Sequence, residues 1–263
     1  MLDLGHKTAA VQRIAVDAHV HLHRLDWQDL RTAAVNLAKA GGTIDGGMLL
    51  LAESFGCNMF ARLVGAGIAD TGEPASVLVE DAAMPLAIIA GRQVITEERI
   101  EVLMLGLRHA PPDGLPLAEL LQRTSGEDVI TVLPWGVGKW TGRRRRLVRE
   151  TLIARHGRVL VGDIPARPRL WSEHILIEAD AAGIRTLSGT DPLPLLGEAA
   201  RIGNFGQIVA AHMDWGRPAA SLFDALRCTS TSIVPFGQPL SLPRLAALQI
   251  GLRMSKSRPE MTR

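Results

Sequence analysis

Short unbroken apolar runs alternate with segments of helical spacing through most of the chain. Ile14-Ala15-Val16 reads as the interior of a strand covered on both faces. It leads into Asp17, His19 and His21 at alternate positions, and a side-chain period of two predicts all three on one face. His23 continues the alternation into the loop. Trp27 to Ala40 places Leu30, Ala33, Ala34, Leu37 and Ala38 at helical spacing, and Gly41-Gly42 stops it. Gly47 to Ala52 predicts a second strand, ending in Glu53-Ser54, with a helix over Asn58 to Val64. Ser76 to Glu80 is a short β-like run. Leu86 to Gln93 reads as one buried strand, and Val94 to Gly106 as a strand, a tight polar turn and another strand.

Pro116 to Arg123 starts a helix on Leu117, Leu120 and Leu121, and Val129 to Leu133 is a further buried strand. A Gly-rich loop, Pro134 to Gly142, then leads into a helix from about Arg144 to His156. Val159 to Asp163 is the next strand. Ser172 to Gly183 predicts a helix with Ser172 as N-cap, Gly183 as stop and His174 as a structural residue of its first turn. Thr186 to Pro194 is a short strand that delivers Asp191 into a Pro-rich loop. Beyond it, Gly203 to Gly206 reads as a loop, Ala219 to Arg227 as a helix, Ile233 to Gly237 as a short strand or loop, and Leu242 to Met254 as a closing helix. Residues 255–263 form a polar frayed tail. Alternating strand and helix signals argue for an α/β protein with a parallel sheet. Six or seven such pairs, with no repeat or linker, fit a single domain over residues 1–263.

Length and composition narrow the class. A chain of 263 residues with 47% apolar side chains can bury a sizeable core, and about 250 residues suits an α/β barrel. A net charge of +2 carries no polyanion footprint, and 4% aromatic residues with no Tyr offer no stacking platform, so composition disfavours nucleic acid as a partner. Cys57 and Cys228 stand far apart and form no Cys-x-x-Cys pair, which predicts reduced thiols in the cytoplasm. No apolar run approaches the roughly 18 residues of a membrane span, and Met1 to Arg13 lacks a signal-peptide core. The expectation is a cytoplasmic protein without membrane contact; the pattern specifies no oligomeric state.

Four places carry candidate chemistry. His19 and His21, two imidazoles on one rigid strand, can share a metal ion with little loss of conformational freedom. Glu53, at a strand end, is either a further ligand or the cap of the helix after it. Asp163 also ends a strand, where barrel enzymes carry their chemistry. In the loop from Trp135 to Gly142, glycines let backbone N–H groups approach an anion, and Lys139 and Arg143 add positive charge. The competing reading of that loop is a solvated basic helix end with its tryptophans as packing. Asp191, taken alone, reads as a cap for the segment that follows.

The run Val16-Asp17-Ala18-His19-Val20-His21 resembles the first-strand His-x-His motif of the metal-dependent hydrolase barrels, which comprise the amidohydrolase superfamily and the polymerase-and-histidinol-phosphatase family. Gly189-Thr190-Asp191 is similar to their late-strand Gly-Ser/Thr-Asp element. The resemblance implies a distorted or incomplete TIM-like barrel, (βα)7–8, with its metal at the C-terminal strand ends. It implies a divalent ion, zinc or manganese, held by His19, His21 and Asp191, with Glu53, Glu101 and Asp163 as further candidates. Asp191 and Asp163 are then the candidate catalytic carboxylates. Lys139, Arg143 and Arg167 would bind a small anionic substrate, a phosphoester first and a carboxylate-bearing amide or lactone second. The chain departs from the pattern at Gln93, where the family places a glutamate, at Glu101 for a histidine, at Leu133-Pro134 for His-Pro, and at Leu193 for a histidine. Those departures support an alternative, a degenerate homologue that binds a ligand or protein partner without hydrolysing it. No Gly-x-Gly-x-x-Gly follows the first strand, which sets a dinucleotide-binding fold aside.

Overall fold

The computed structural model describes residues 10–66, 68–79, 84–109, 111–125, 128–168 and 173–256. Its elements are β1 (Gln12–Val20), α1 (Trp27–Ala38), β2 (Gly46–Leu51), α2 (Met59–Gly65), β3 (Ala69–Asp70), β4 (Ser76–Val79), β5 (Leu86–Ile89), β6 (Gly91–Ile95), β7 (Glu101–Leu105), α3 (Leu117–Arg123) and β8 (Ile130–Pro134). There follow α4 (Gly142–Ala154), β9 (Val159–Asp163), α5 (His174–Ala181), β10 (Thr186–Ser188), β11 (Gly206–Ala211), α6 (Pro218–Arg227), β12 (Ile233–Phe236) and α7 (Leu242–Lys256). Glu80, the expected cap Ser172 and the tail beyond Lys256 lie outside the described residues.

Local chemistry accounts for the main elements. Asp26 caps α1 by accepting from Gln28 N at 2.9 Å, and the helix buries Leu30, Ala33, Ala34 and Leu37. Glu173, rather than Ser172, caps α5 by accepting from Ile175 N. Helix α6 opens on Pro218, whose missing N–H costs nothing in a first turn.

The strands do not close into the expected TIM-like barrel. Among the described residues they form a seven-stranded sheet, β12-β11-β1-β2-β5-β4-β3, and a five-stranded sheet, β10-β9-β8-β7-β6. A (βα)8 barrel needs every neighbour parallel, and here only β1–β2, β2–β5, β8–β9 and β9–β10 are. The turn between β6 and β7 is too short for the crossover of a dozen or more residues that a parallel pair requires, so that pair is antiparallel. β11 lies in a stretch whose pattern predicts no strand. It runs antiparallel beside β1, with Ile14 opposite Val209.

The two sheets share one core. Ile14, Val16, Met48 and Leu50 of the first pack into the same cluster as Leu103, Leu105, Val132 and Leu160 of the second, with Leu222 and Phe223 of α6. α1 and α2 cover the other face of the first sheet, and α3, α4 and α5 that of the second. Each fully buried Leu or Ile in these layers contributes roughly 1.5–3 kcal/mol.

The chain changes sheet at Ala90-Gly91, inside what reads as one strand. The reason is a close approach: a Cβ on Gly91 would lie 2.1 Å from Leu51 O. Glu53 N donates to Gly91 O at 3.0 Å and Gln93 N to Glu53 O at 2.9 Å, which ties the end of β2 to the start of β6. Gly91→Ala is expected to lower the unfolding free energy by about 2–4 kcal/mol, because backbone must move on both sheets. Urea unfolding checks this; a loss below about 0.5 kcal/mol would show that the junction tolerates a side chain.

Candidate metal centre

The centre lies where the ends of β1 and β10 meet. β1 pairs in register with β2 from Ile14 to Asp17, and then three residues of β1 span two of β2 before Val20 meets Leu51. That extra residue is a bulge, and it reverses the alternation. Ala15 and Val20 therefore share the cluster beneath α1, while Ile14, Val16 and Ala18 face the core between the sheets. Asp17 is parted from the histidines by this reversal, so the single face expected for Asp17, His19 and His21 is not formed.

His19 and His21 converge, their Nε2 atoms 3.1 Å apart. Asp191 Oδ1 lies 3.6 Å from His19 Nε2 and 3.5 Å from His21 Nε2. One ligand atom from each of the three falls within 4.8 Å of the others. Gly189 makes this possible: a Cβ there would sit 2.2 Å from His19 N. Asp191 N then donates to His19 O at 2.8 Å, and Asp191 holds a φ of 46°, a left-handed conformation that Asp tolerates better than most side-chain-bearing residues. His23 stacks on His21, with ring centroids 6.0 Å apart, and its Nε2 meets Pro192 O at 3.1 Å.

Asp17 acts as the fastening of this arrangement. Fully buried, its carboxylate accepts from Thr190 N at 2.8 Å, Gly203 N at 2.9 Å, His19 N at 3.3 Å and the Thr190 hydroxyl. It thereby fixes the segment carrying Asp191 against the strand carrying the histidines. Burial pushes its carboxyl up to about 6 despite those donors.

The electrostatics suit a cation. Burial, with the neighbouring His19, pulls His21 down to about 4, so its imidazole is neutral at pH 7. Burial alone would raise Asp191, but His19, His21 and Lys139 outweigh it and hold the carboxyl below the usual range. A proton on one imidazole can bridge the two Nε2 atoms, whereas a divalent ion would take all three convergent ligand atoms at once. His19 Nδ1, the ring nitrogen outside the cluster, is buried with no hydrogen-bond partner among the described residues, so no carboxylate or carbonyl there orients the ring. A His-His-Asp donor set fits a divalent ion, and three protein ligands with a further position open is the arrangement of catalytic zinc sites.

The remaining candidates are placed otherwise. Glu53 Oε2 pairs with Arg92 at 3.1 Å, and Oε1 accepts from Phe60 N at 2.9 Å in the first turn of α2. Glu101 pairs with Lys139, whose charge bears on His21 and Asp191. Asp163 is gripped by Arg167, with Nε to Oδ1 at 2.8 Å and Nη2 to Oδ2 at 2.6 Å. Arg143 is exposed in the first turn of α4. The structure thus joins His19, His21 and Asp191, and gives each of the other three carboxylates a cation of its own. Gln93 Oε1 is buried without a partner among the described residues. Gly203, which with Thr190 holds Asp17, carried no signal in the sequence, whereas Thr190 lies in the Gly189-Thr190-Asp191 element. A cavity of about 290 Å³ adjoins the centre, lined by His21, His23, Leu193, Leu195 and Ile202 among others.

The fold and this cluster define a class: a two-sheet α/β protein with a candidate divalent-metal centre at the strand ends. No protein-family model matches the sequence, and no curated protein does. Solved structures share the fold. PsfC from Pseudomonas syringae is similar with a TM-score of 0.55 at 17% identity, over 93% of this chain and 99% of that one. The lesion-specific endonuclease PfuEndoQ from Pyrococcus furiosus is similar with a TM-score of 0.56 at 12% identity, over 95% of this chain and 68% of its own. An endonuclease Q in complex with a 27-mer duplex that carries an abasic lesion at the active site gives 0.52 at 10%, over 95% and 68%. That last structure corrects the expectation that disfavoured nucleic acid: a protein of this fold holds a duplex. Net charge averages over a whole surface, whereas a nucleic acid responds to the local charge of the face it meets. Among the described residues no helix is long and apolar enough to cross a membrane.

Proposed function

We propose that the protein is a metal-dependent hydrolase of phosphoesters, related to the polymerase-and-histidinol-phosphatase type. The observation that carries this reading is the convergence of His19, His21 and Asp191 on one point. Its support is the fold shared with endonucleases, together with Lys139, whose charge bears on Asp191. When bound, a divalent ion supplies a Lewis acid for the scissile group and acidifies an attacking water. The chain's own part is to hold that point rigid. Asp17 and Thr190 fasten Asp191, and His23 fixes Pro192. Lys139 offers its ammonium to the charge of an anionic substrate, exchanging Glu101 for it. Asp191, held ionised, would ligate the ion.

Chelator-treated protein, reloaded with zinc or manganese, is expected to hydrolyse nitrophenyl phosphate mono- or diesters, and Asp191→Ala to lower that rate at least about 100-fold. Loaded protein inert toward both ester classes would overturn the reading. One observation favours a second reading, a homologue that binds without hydrolysing: Glu53, Glu101 and Asp163 are each neutralised by a cation, which leaves three ligands. Metal uptake without turnover of phosphoester, lactone or amide would select it.

A further inference from the structure

Four consecutive arginines, Arg143 to Arg146, follow Gly142 at the start of α4, at the same end of the strands as the metal centre. A helix N-terminus carries a partial positive charge, so cations there are unfavourable. No acidic residue offsets them in that turn, and the N-cap Thr141 makes no side-chain capping bond. Among the described residues only Arg145 of the four has a carboxylate, Glu173 at 2.9 Å. Arg144 donates to oxygens of its own loop, Gly138 O at 3.2 Å and the Thr141 hydroxyl at 3.3 Å. Arg143 and Arg146 are exposed and have no ion pair among the described residues. Lys139, one turn earlier in the chain, already bears on His21 and Asp191. Positive charge therefore continues along the chain from Lys139, which pairs with Glu101, to the exposed Arg143 and Arg146. Two other loops at this end expose large apolar side chains, Phe55 after β2 at 81% and Leu196 after β10 at 103%. A small phosphomonoester would need neither the extended charge nor that breadth of surface.

We infer that the strand-end face is a nucleic-acid-binding surface, in which Arg143, Arg144 and Arg146 hold backbone phosphates that flank a phosphodiester at the metal centre. This rests on the phosphoesterase reading of that centre and names its substrate class as a polynucleotide. The contacts are to backbone, so binding is strongly salt-dependent and little dependent on sequence. The helix tolerates cations at its N-terminus because a polyanion neutralises them.

The test uses the full chain, metal-free in chelator so that nothing is cleaved, and a fluorescent mixed-sequence DNA duplex of about 20 base pairs followed by anisotropy across salt concentrations. The native protein is expected to bind. The Arg143→Ala, Arg144→Ala, Arg146→Ala variant is expected to bind at least about tenfold more weakly, with the slope of log affinity against log salt shallower by about 2–3. Its melting temperature should equal or exceed the native value, since charges opposed to the helix dipole have gone. An Arg155→Ala, Arg158→Ala control, altered at the opposite ends of the strands, should keep the native slope. Absence of native binding at low salt, an unchanged slope in the triple variant, or equal binding to polyglutamate would each overturn the inference. Hydrolysis of small phosphoesters by metal-loaded protein would survive any of these results, so the two readings fail separately.

Discussion

Asp17→Ala is expected to destabilise the protein by about 3–5 kcal/mol and to abolish metal binding under conditions where the chain is still folded. The carboxylate is fully buried and receives Thr190 N, the Thr190 hydroxyl, Gly203 N and His19 N. Alanine leaves those donors in a site closed to water, and each unsatisfied buried donor costs about 1–3 kcal/mol before relaxation. The damage reaches function because three of the donors lie on His19 and Thr190, next to or within the metal cluster. Released from Asp17, the segment with Asp191 has little reason to keep its left-handed backbone at φ 46°. Asp17→Asn keeps one acceptor and should recover part of the stability. Chemical denaturation with metal titration checks both effects. A stability loss below about 1 kcal/mol with metal binding intact would show that Asp17 is not the fastening described.

His19→Ala with His21→Ala is the complementary change, with its large effect on chemistry rather than stability. It deletes two of three ligand side chains and leaves Asp17, Thr190 and the Gly189 contact in place. The melting temperature of metal-free protein should stay within a few degrees of native. Removal of one outer partner of a metal ligand typically costs about 10–100-fold in affinity, so removal of two ligands should cost at least about 10³-fold and take phosphoester hydrolysis with it. A double variant that hydrolyses at native rate would place the chemistry elsewhere, with the Asp163–Arg167 pair at the end of β9 as the next candidate.

Several features are legible in the sequence because a local pattern encodes them. The apolar run into His19 and His21, the helical spacing of α1, and Gly189-Thr190-Asp191 after a short strand all rest on neighbours in the chain. What pattern cannot carry is tertiary. A period of two places Asp17 beside the histidines, but one bulge residue between Asp17 and Val20 turns it to the other side. Leu86 to Gln93 has the composition of one strand, and only the contact of Gly91 with Leu51 O shows where it passes between sheets. β11 follows a Gly-rich loop, and its register beside β1 is set by a strand from the opposite end of the chain. The barrel expectation fails on these points. The carboxylates at strand ends are readable as positions, whereas the cations that occupy them come from other elements, save Arg167, which sits four residues after Asp163 on the same loop.

The central claim is that His19, His21 and Asp191 hold one divalent ion. Its most direct test is titration of chelator-treated protein with zinc and with manganese, read by calorimetry and by elemental analysis after desalting, beside the double-histidine variant. About one equivalent is expected to stay with the native chain and none with the variant. No uptake of either metal, or equal uptake by both proteins, would contradict it.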